Sequence, residues 1–290
     1  MASHRVLVAD PISEHGVALL NDHPDISADF IPDLGSQPDK LMEIIGDYDA
    51  LIVRSQTKPN AEVIARGSRL QAIGRAGVGV DNIDREAASA HGVIVMNTPT
   101  GNTVSTAEHA FALMLATARN IAPAHAGVLD GDFKRARKAF SGIEMNGKRL
   151  AVIGMGRIGS EFVKRAQGFN MKVVAFDPFL TQARADEMKI ELADSPDAVL
   201  DGADVVTLHV PLTDDTRHII NAERLALMNK GGLVVNCARG GLIDEDALKA
   251  AIDTGHIAGC ALDVFENEPP SEDHPLFSCE KHIAFTPHLG

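Results

Sequence analysis

Two groups of residues in this chain have types and spacings suited to chemistry. The first is Gly154-Met155-Gly156-Arg157-Ile158-Gly159, a G-x-G-x-x-G series that follows the apolar run Arg149–Ile153 and opens a helical pattern over Ile158–Gln167. In such a turn the first glycine permits the tight reversal, the second lets a pyrophosphate approach the backbone, and the third lets the helix pack closely on the strand. The free N–H groups at the helix start then face the phosphates. The glycines alone are a weak signal; a strand before them and a helix after them supply the context the mechanism needs. Asp177 ends the next β-type run, Lys172–Phe176, near the ~20-residue spacing at which a carboxylate accepts from the adenosine ribose. A carboxylate there repels a 2′-phosphate, which favours NAD over NADP. The plainer reading of Asp177-Pro178 is the start of a turn.

The second group is Arg239, Glu268 and His288. Arg239 follows the apolar run Leu233–Asn236, Glu268 lies in Asp263-Val264-Phe265-Glu266-Asn267-Glu268-Pro269-Pro270, and His288 follows His282–Thr286. Each has a plain explanation taken singly: a surface arginine, a loop glutamate beside prolines, one of 12 histidines. Ligands of doubly wound sheets bind outside the carboxyl ends of strands, so all three sit where chemistry would occur.

The elements that must hold these residues are legible as an alternation. Val6–Ala9, Ala50–Val53, Gln71–Ile73 and Val93–Met96 read as strands apolar on both faces. Between them lie the helical stretches Glu14–Leu20, Pro38–Ile45, Asn60–Ala65 and Arg85–Ala90. A second alternation follows, with strands at Arg149–Ile153, Lys172–Phe176, Val205–His209, Leu233–Asn236, Gly259–Leu262 and His282–Thr286. Its helices are expected at Ile158–Gln167, Thr181–Met188, Pro196–Leu200, Ala222–Leu227 and Glu245–Thr254. Such βαβ series imply parallel sheets covered by helices. Thr103–Asn120 reads as one long helix without a clear polar face, hence buried, and is expected at a domain junction or under a subunit interface. Asp130–Gly147 is polar and basic and reads as a surface excursion.

The 290 residues suit two domains, and 45% hydrophobic with 23% charged residues is the balance of a globular protein with a substantial core. The formal net charge of −13 argues against nucleic-acid and anionic-membrane partners. No signal peptide or membrane span is expected. Cys237, Cys260 and Cys279 show no C-x-x-C spacing, so a cytoplasmic protein with reduced thiols and no metal site is expected.

Together the motifs resemble the D-isomer-specific 2-hydroxyacid dehydrogenases, and within them most closely the D-3-phosphoglycerate dehydrogenases. The resemblance runs through Ile52-Val53-Arg54-Ser55, Gly74-Arg75-Ala76-Gly77-Val78-Gly79-Val80-Asp81-Asn82, Met96-Asn97-Thr98-Pro99, Gly101-Asn102, the glycine turn, His209-Val210-Pro211-Leu212, Asn236-Cys237-Ala238-Arg239-Gly240-Gly241 and Pro287-His288-Leu289-Gly290. It implies an α/β fold of two Rossmann-like or flavodoxin-like βαβ lobes with parallel sheets, a substrate lobe at 1–98 and an NAD-binding lobe at 99–290, with the active site in a cleft between them. It implies that His288 exchanges the hydroxyl proton as hydride leaves C2, that Glu268 stabilises its imidazolium, and that Arg239 grips the substrate carboxylate, a bidentate task unsuited to lysine. It implies cofactor contacts from Gly154, Gly156, Arg157, Ile158, Gly159, Asp177, His209, Val210, Pro211, Cys237, Ala238, Asp263, Val78 and Thr106, with Asp263 on the nicotinamide carboxamide.

Arg54, Ser55, Arg75, Gly77 and Asn102 are the implied substrate contacts. Arg135, in the basic run Lys134–Lys138, is the implied contact for a substrate phosphate, reached from a neighbouring subunit of a homodimer or higher oligomer. A solvated charged face is the competing reading of that run. A glyoxylate/hydroxypyruvate reductase of the same fold and an NAD-sensing corepressor are the alternative functions. Glu268 argues against formate oxidation, whose enzymes carry Gln there. Members of the family continue beyond the position of Gly290 with a segment that returns to the first lobe. Without it, a single interdomain crossing near Thr98–Gly101 and looser closure are expected.

Overall fold

The computed structural model describes residues 4–290; the first residues of the expected substrate lobe lie outside them. The chain divides between Asn102 and Thr103 into two compact units. The first carries strands β1 (His4–Val8), β2 (Ile26–Phe30), β3 (Ala50–Val53), β4 (Ala72–Arg75) and β5 (Ile94–Asn97), with helices α1 (Glu14–Asn21), α2 (Pro38–Ile44), α3 (Ala61–Arg66) and α4 (Arg85–Ala90). Its strands are parallel in the order β2-β1-β3-β4-β5, the flavodoxin-like winding. Hydropathy patterning does not reveal the edge strand β2: Ile-Ser-Ala-Asp-Phe mixes polar and apolar residues and buries none of them fully. Leu7, Leu34, Ile45, Leu51, Val53 and Ile73 are fully buried in one core. Side chains of this kind each contribute about 1.5–3 kcal/mol. Ser13, Asn60 and Asp84 cap α1, α3 and α4 by accepting from backbone N–H groups one turn on, which starts each helix at a defined residue.

The second unit begins with α5 (Thr103–Ala118), α6 (Ile121–Leu129) and α7 (Phe133–Ala139). It continues through β6 (Arg149–Ile153), α8 (Arg157–Gly168), β7 (Lys172–Phe176), α9 (Gln182–Met188), β8 (Glu191–Leu192), α10 (Pro196–Leu200) and β9 (Val205–Leu208). It ends with α11 (Ala222–Leu227), β10 (Gly232–Asn236), α12 (Glu245–Asp253), β11 (Ile257–Leu262) and β12 (Ile283–Phe285). The parallel sheet runs β12-β11-β10-β9-β6-β7-β8. The chain winds outward from β6 through β7 to β8, then returns to β9 on the other side of β6. The carboxyl ends of β6 and β9 therefore flank the reversal point where doubly wound sheets bind ligands. Alternation along the strands feeds two cores: Leu150 and Val152 of β6 join one, Ala151 and Ile153 the other.

Helix α5 opens the second unit directly after the boundary at Asn102 and packs into that unit's core. Ala107, Ala110, Phe111, Met114 and Ala118 pack in the same core as Phe162, Val163 and Ala166 of α8. The long helix read to Asn120 ends at Ala118 because fully buried Asn120 adopts a left-handed conformation, φ +53°. Its side-chain amide donates to Ser141 O at 2.9 Å. The expected surface excursion holds α7, and α6 before it is not separable from α5 in the sequence; Ile121, Val128, Leu129 and Phe133 of α6 and α7 are exposed. No helix among the described residues is long and apolar enough to cross a membrane.

Phe162 links α5, α8 and the residue after β9. It is fully buried, meets Phe111 edge-on with ring centroids 5.5 Å apart, and lies 5.2 Å from the ring of His209. Phe162→Ala is expected to destabilise the second unit by about 3–5 kcal/mol, read as a lower urea midpoint with the slope unchanged.

Candidate active site

The glycine turn after β6 is closed by backbone from the end of β9. Gly154 has φ +96° and a Cβ there would lie 2.6 Å from His209 O; a Cβ on Gly159 would overlap Gly154 O. Neither position accepts a side chain. A Cβ on exposed Gly156 would meet nothing within 4 Å, so the backbone there is open to approach. Gly156 starts α8 without a side-chain cap, whereas Thr181, Ser195, Asn221 and Asp244 cap α9 to α12. An uncapped helix start beside an open glycine is a cradle for an anion. Arg157 and Ile158 form the first turn of α8.

Asp177 holds this turn in shape. Its carboxylate accepts from Met155 N at 2.7 Å and Phe179 N at 2.8 Å. A carboxylate has about four acceptor positions, so these bonds leave room for a hydroxyl. Thr106, on α5, is 4% exposed and its Oγ1 has no partner, so this hydroxyl is able to take a donor or acceptor from a bound group. These features fit a dinucleotide. His209 and Val210 wall the glycine turn, Val210 Cγ1 lying 2.7 Å from a Cβ on Gly154; Pro211 follows them. Burial pushes the His209 imidazole down to about 4, so it is neutral near pH 7. Cys237 is buried, and desolvation together with the nearby Asp263 charge pushes its thiol well up, leaving it inert.

β10, β11 and β12 lie side by side and parallel, which brings the loops after them together. Asn236, 2% exposed, shapes the first: its Oδ1 accepts from Ala238 N at 3.0 Å and its Nδ2 donates to Arg239 O at 2.8 Å. A Cβ on Gly240 would overlap Phe265 O, so the turn carrying Arg239 abuts the loop carrying Glu268. Arg239 Nη1 also donates to Ala238 O at 2.6 Å. Glu268 Oε1 accepts from Phe265 N at 3.1 Å, and its Oε2 lies 2.8 Å from His288 Nδ1. A carboxylate only accepts, so Nδ1 carries the shared proton. Both side chains are partly exposed, 45% for His288 and 37% for Glu268. A cavity of about 410 Å³ runs along the pair, walled by Phe265, Phe277, Phe285 and Pro269.

Asp263 takes a part beyond the sequence expectation. Its side chain is fully enclosed. Oδ1 accepts from Thr286 Oγ1, Leu289 N and His109 Nε2, and Oδ2 accepts from Gly290 N at 2.8 Å. Here the carboxylate binds the segment around His288, where the resemblance assigns it to a carboxamide.

Within the first unit, the loop carrying Arg54 and Ser55 is clamped. Fully buried Asp10 accepts from Arg54 N at 2.5 Å and from Thr57 Oγ1 at 2.6 Å. Asn82 Nδ2 donates to Arg54 O and Thr57 O at 2.8 Å each. The Arg75 guanidinium folds over Gly77, its Nη1 filling the space where a Cβ would stand. Asn97 Nδ2 donates to Val78 O at 2.6 Å. Asn102 is half-buried. Arg135, in the second unit, is 70% exposed and lies 3.9 Å from Asp132. The described residues contain no group of three or more side chains suited to a metal.

Five residues that shape these sites are given no role by sequence reasoning: Asp10, Asn82, Asn236, His109 and Thr286. Asp10 carries the same signal as Arg239, a polar residue just past an apolar strand. Asn82 and Asn236 stand inside motifs already singled out. His109 lies mid-helix and has no local signal.

One sheet thus carries a dinucleotide cradle and, at the same carboxyl edge, an imidazole–carboxylate pair. Residues 111–290 match the family D-isomer specific 2-hydroxyacid dehydrogenase, NAD binding domain, and the chain belongs to that family. It is 48% identical over 286 residues to the D-3-phosphoglycerate dehydrogenase of Methanocaldococcus jannaschii, covering 99% of this chain and 53% of that protein. It is 45% identical over 290 residues to that of Bacillus subtilis, with the same coverages. The chain thus spans about half the length of these relatives. Among solved structures it resembles the TT0316 protein of Thermus thermophilus, with TM-score 0.89 and 34% identity over 98% of this chain and 89% of that one. A glyoxylate reductase from Paecilomyes thermophila matches with TM-score 0.85 and 31% identity over 100% and 89%.

His209 makes a pH-dependent contribution with a defined sign. Its folded-state pKa of about 4 lies below the ordinary 6.5, so between these values the unfolded chain binds more protons and stability falls as pH drops. A thermal-melt series from pH 6.5 to 4 is expected to show a shallower decline for His209→Gln than for the unsubstituted chain.

Proposed function

We propose that this chain catalyses the NAD-dependent oxidation of D-3-phosphoglycerate at C2, giving 3-phosphohydroxypyruvate, the first step of serine synthesis. The observation that carries the reading is the 2.8 Å pairing of His288 Nδ1 with Glu268 at the mouth of an NAD-binding domain. Glu268 fixes the ring so that Nε2 takes the C2 hydroxyl proton, and it stabilises the imidazolium that forms. Arg239, presented by the Asn236 turn, binds the substrate carboxylate through its planar fork. Arg54, Ser55, Arg75, Gly77 and Asn102 complete the grip on the acid, and Arg135 serves a substrate phosphate from a neighbouring copy in a homodimer.

Bound NAD supplies the hydride acceptor. The 154–159 turn and the start of α8 would hold its pyrophosphate, and Asp177 would take the ribose while bracing Met155. Thr106, Val78, the 209–211 backbone, Cys237 and Ala238 would line the rest, and Asp263 would reach the nicotinamide carboxamide only by exchanging one of its present partners. The choice of acid is supported by the relatives' names and by their 44–48% identity over nearly the whole chain. Unpaired Cys237, Cys260 and Cys279 accord with a reducing cytoplasm.

The test is NADH absorbance against a panel of acids. kcat/KM for D-3-phosphoglycerate is expected to exceed that for D-glycerate; preference for the plain acid, or for glyoxylate with NADH, would reject the substrate in favour of a reductase. NADH binding without turnover on any acid would move the chain to a sensing role. His288→Ala and Arg239→Ala are each expected to lower turnover by about 10²–10⁴-fold while NAD still binds, and near-normal turnover in either would remove that residue from the mechanism.

A further inference from the structure

We infer that His109, on α5, is a positioning residue that holds the turn bearing His288 by anchoring the Asp263–Thr286 pair. The inference rests on the proposed role of His288 for its kinetic consequence, but not for its structural one.

A buried carboxylate is costly unless its acceptor positions are filled. Asp263 fills them with Thr286 Oγ1, Leu289 N, Gly290 N and His109 Nε2. The first three of these donors belong to the segment after β12. The fourth, His109, comes from a different element, one anchored by packing: Ala107, Ala110 and Phe111 around it are buried in the core with α8. The His109 Nε2 lies 3.2 Å from Asp263 Oδ1 and 3.1 Å from Thr286 Oγ1, so one N–H spans both partners. The Asp263 carboxylate only accepts, which assigns the proton to Nε2.

The object being held needs holding. His288 sits at φ +56°, a region that a residue with a side chain occupies only when its surroundings over-determine it. Its N–H donates to Asp263 O at 2.8 Å, and the next two N–H groups donate to the Asp263 carboxylate. Asp263 thus grips the backbone at and beyond the imidazole, and His109 ties that grip to the helical core. Loosening it displaces His288 relative to Glu268, and a misplacement of about 1 Å at a reacting group can cost on the order of 10²-fold in rate.

The experiment compares His109→Leu, which keeps bulk without a donor, with His109→Gln, whose amide N–H has similar reach. Two readouts are taken on the full chain: amide hydrogen exchange at 288–290, and kcat and KM for the hydroxy acid. In H109L, exchange at these amides is expected to rise at least about tenfold and kcat to fall about 10- to 100-fold, with KM and the NAD dissociation constant within about threefold. H109Q is expected to restore both readouts. Unchanged exchange in H109L, an H109Q variant as defective as H109L, or a loss carried in KM instead of kcat would each overturn the inference. If H109L does not fold, H109Q and H109N, alike in polarity but unequal in reach, carry the same comparison. If the unsubstituted chain turns over no hydroxy acid, the proposed function fails, while the exchange readout still decides whether His109 holds the turn.

Discussion

A carboxylate sealed from water must be met by donors, and at Asp263 those donors set the geometry of the candidate site. The residue follows β11 directly, so its backbone is fixed by the sheet, and its side chain lies between the segment after β12 and His109 of α5. That segment closes around it, and the closure holds His288 in a left-handed backbone conformation with its ring against Glu268. The imidazole is therefore not placed by its own preferences. It is placed by the need to satisfy a charge that is distant along the chain but adjacent in the sheet.

The sheet topology supplies the other constraint. Because β6 and β9 are neighbours although β7 and β8 intervene in sequence, the loops that leave them diverge and open a gap at their carboxyl ends. The glycine turn fills one side and His209–Pro211 the other, with the contact between Gly154 and His209 too close for any side chain. The same carboxyl edge, followed across β10, β11 and β12, presents Arg239, Glu268 and His288 in order. One parallel sheet thus aligns the cofactor cradle and the proposed acid–base pair without any dedicated scaffold, and neutral His209 and the inert Cys237 line it without adding charge.

Much of this is legible beforehand because it is written locally. Strands buried on both faces are continuous apolar runs, and most of those runs form strands within a residue or two of their expected ends. The glycine turn announces itself because three backbone constraints demand the one residue without a Cβ. The reading fails where local composition is ambiguous. Strand β2 is half polar because it lies at an edge, and α6 merges with α5 because the break depends on Asn120, whose unusual conformation is stabilised by long-range bonds to the 141 and 282 segments.

The sequence by itself determined the α/β class, the family and the identities of the residues at the strand ends, because these follow from periodicity and from motifs confined to a few positions. Only the tertiary structure decided what those side chains touch. Asp177 braces Met155, Asp263 binds the 286–290 segment, Asp10 clamps the Arg54 loop, and His109 reaches Asp263 across more than half of the second unit's sequence. The physical reason is that a buried polar group takes its partner from whatever the packing brings within about 3 Å, and that distance has no counterpart along the chain.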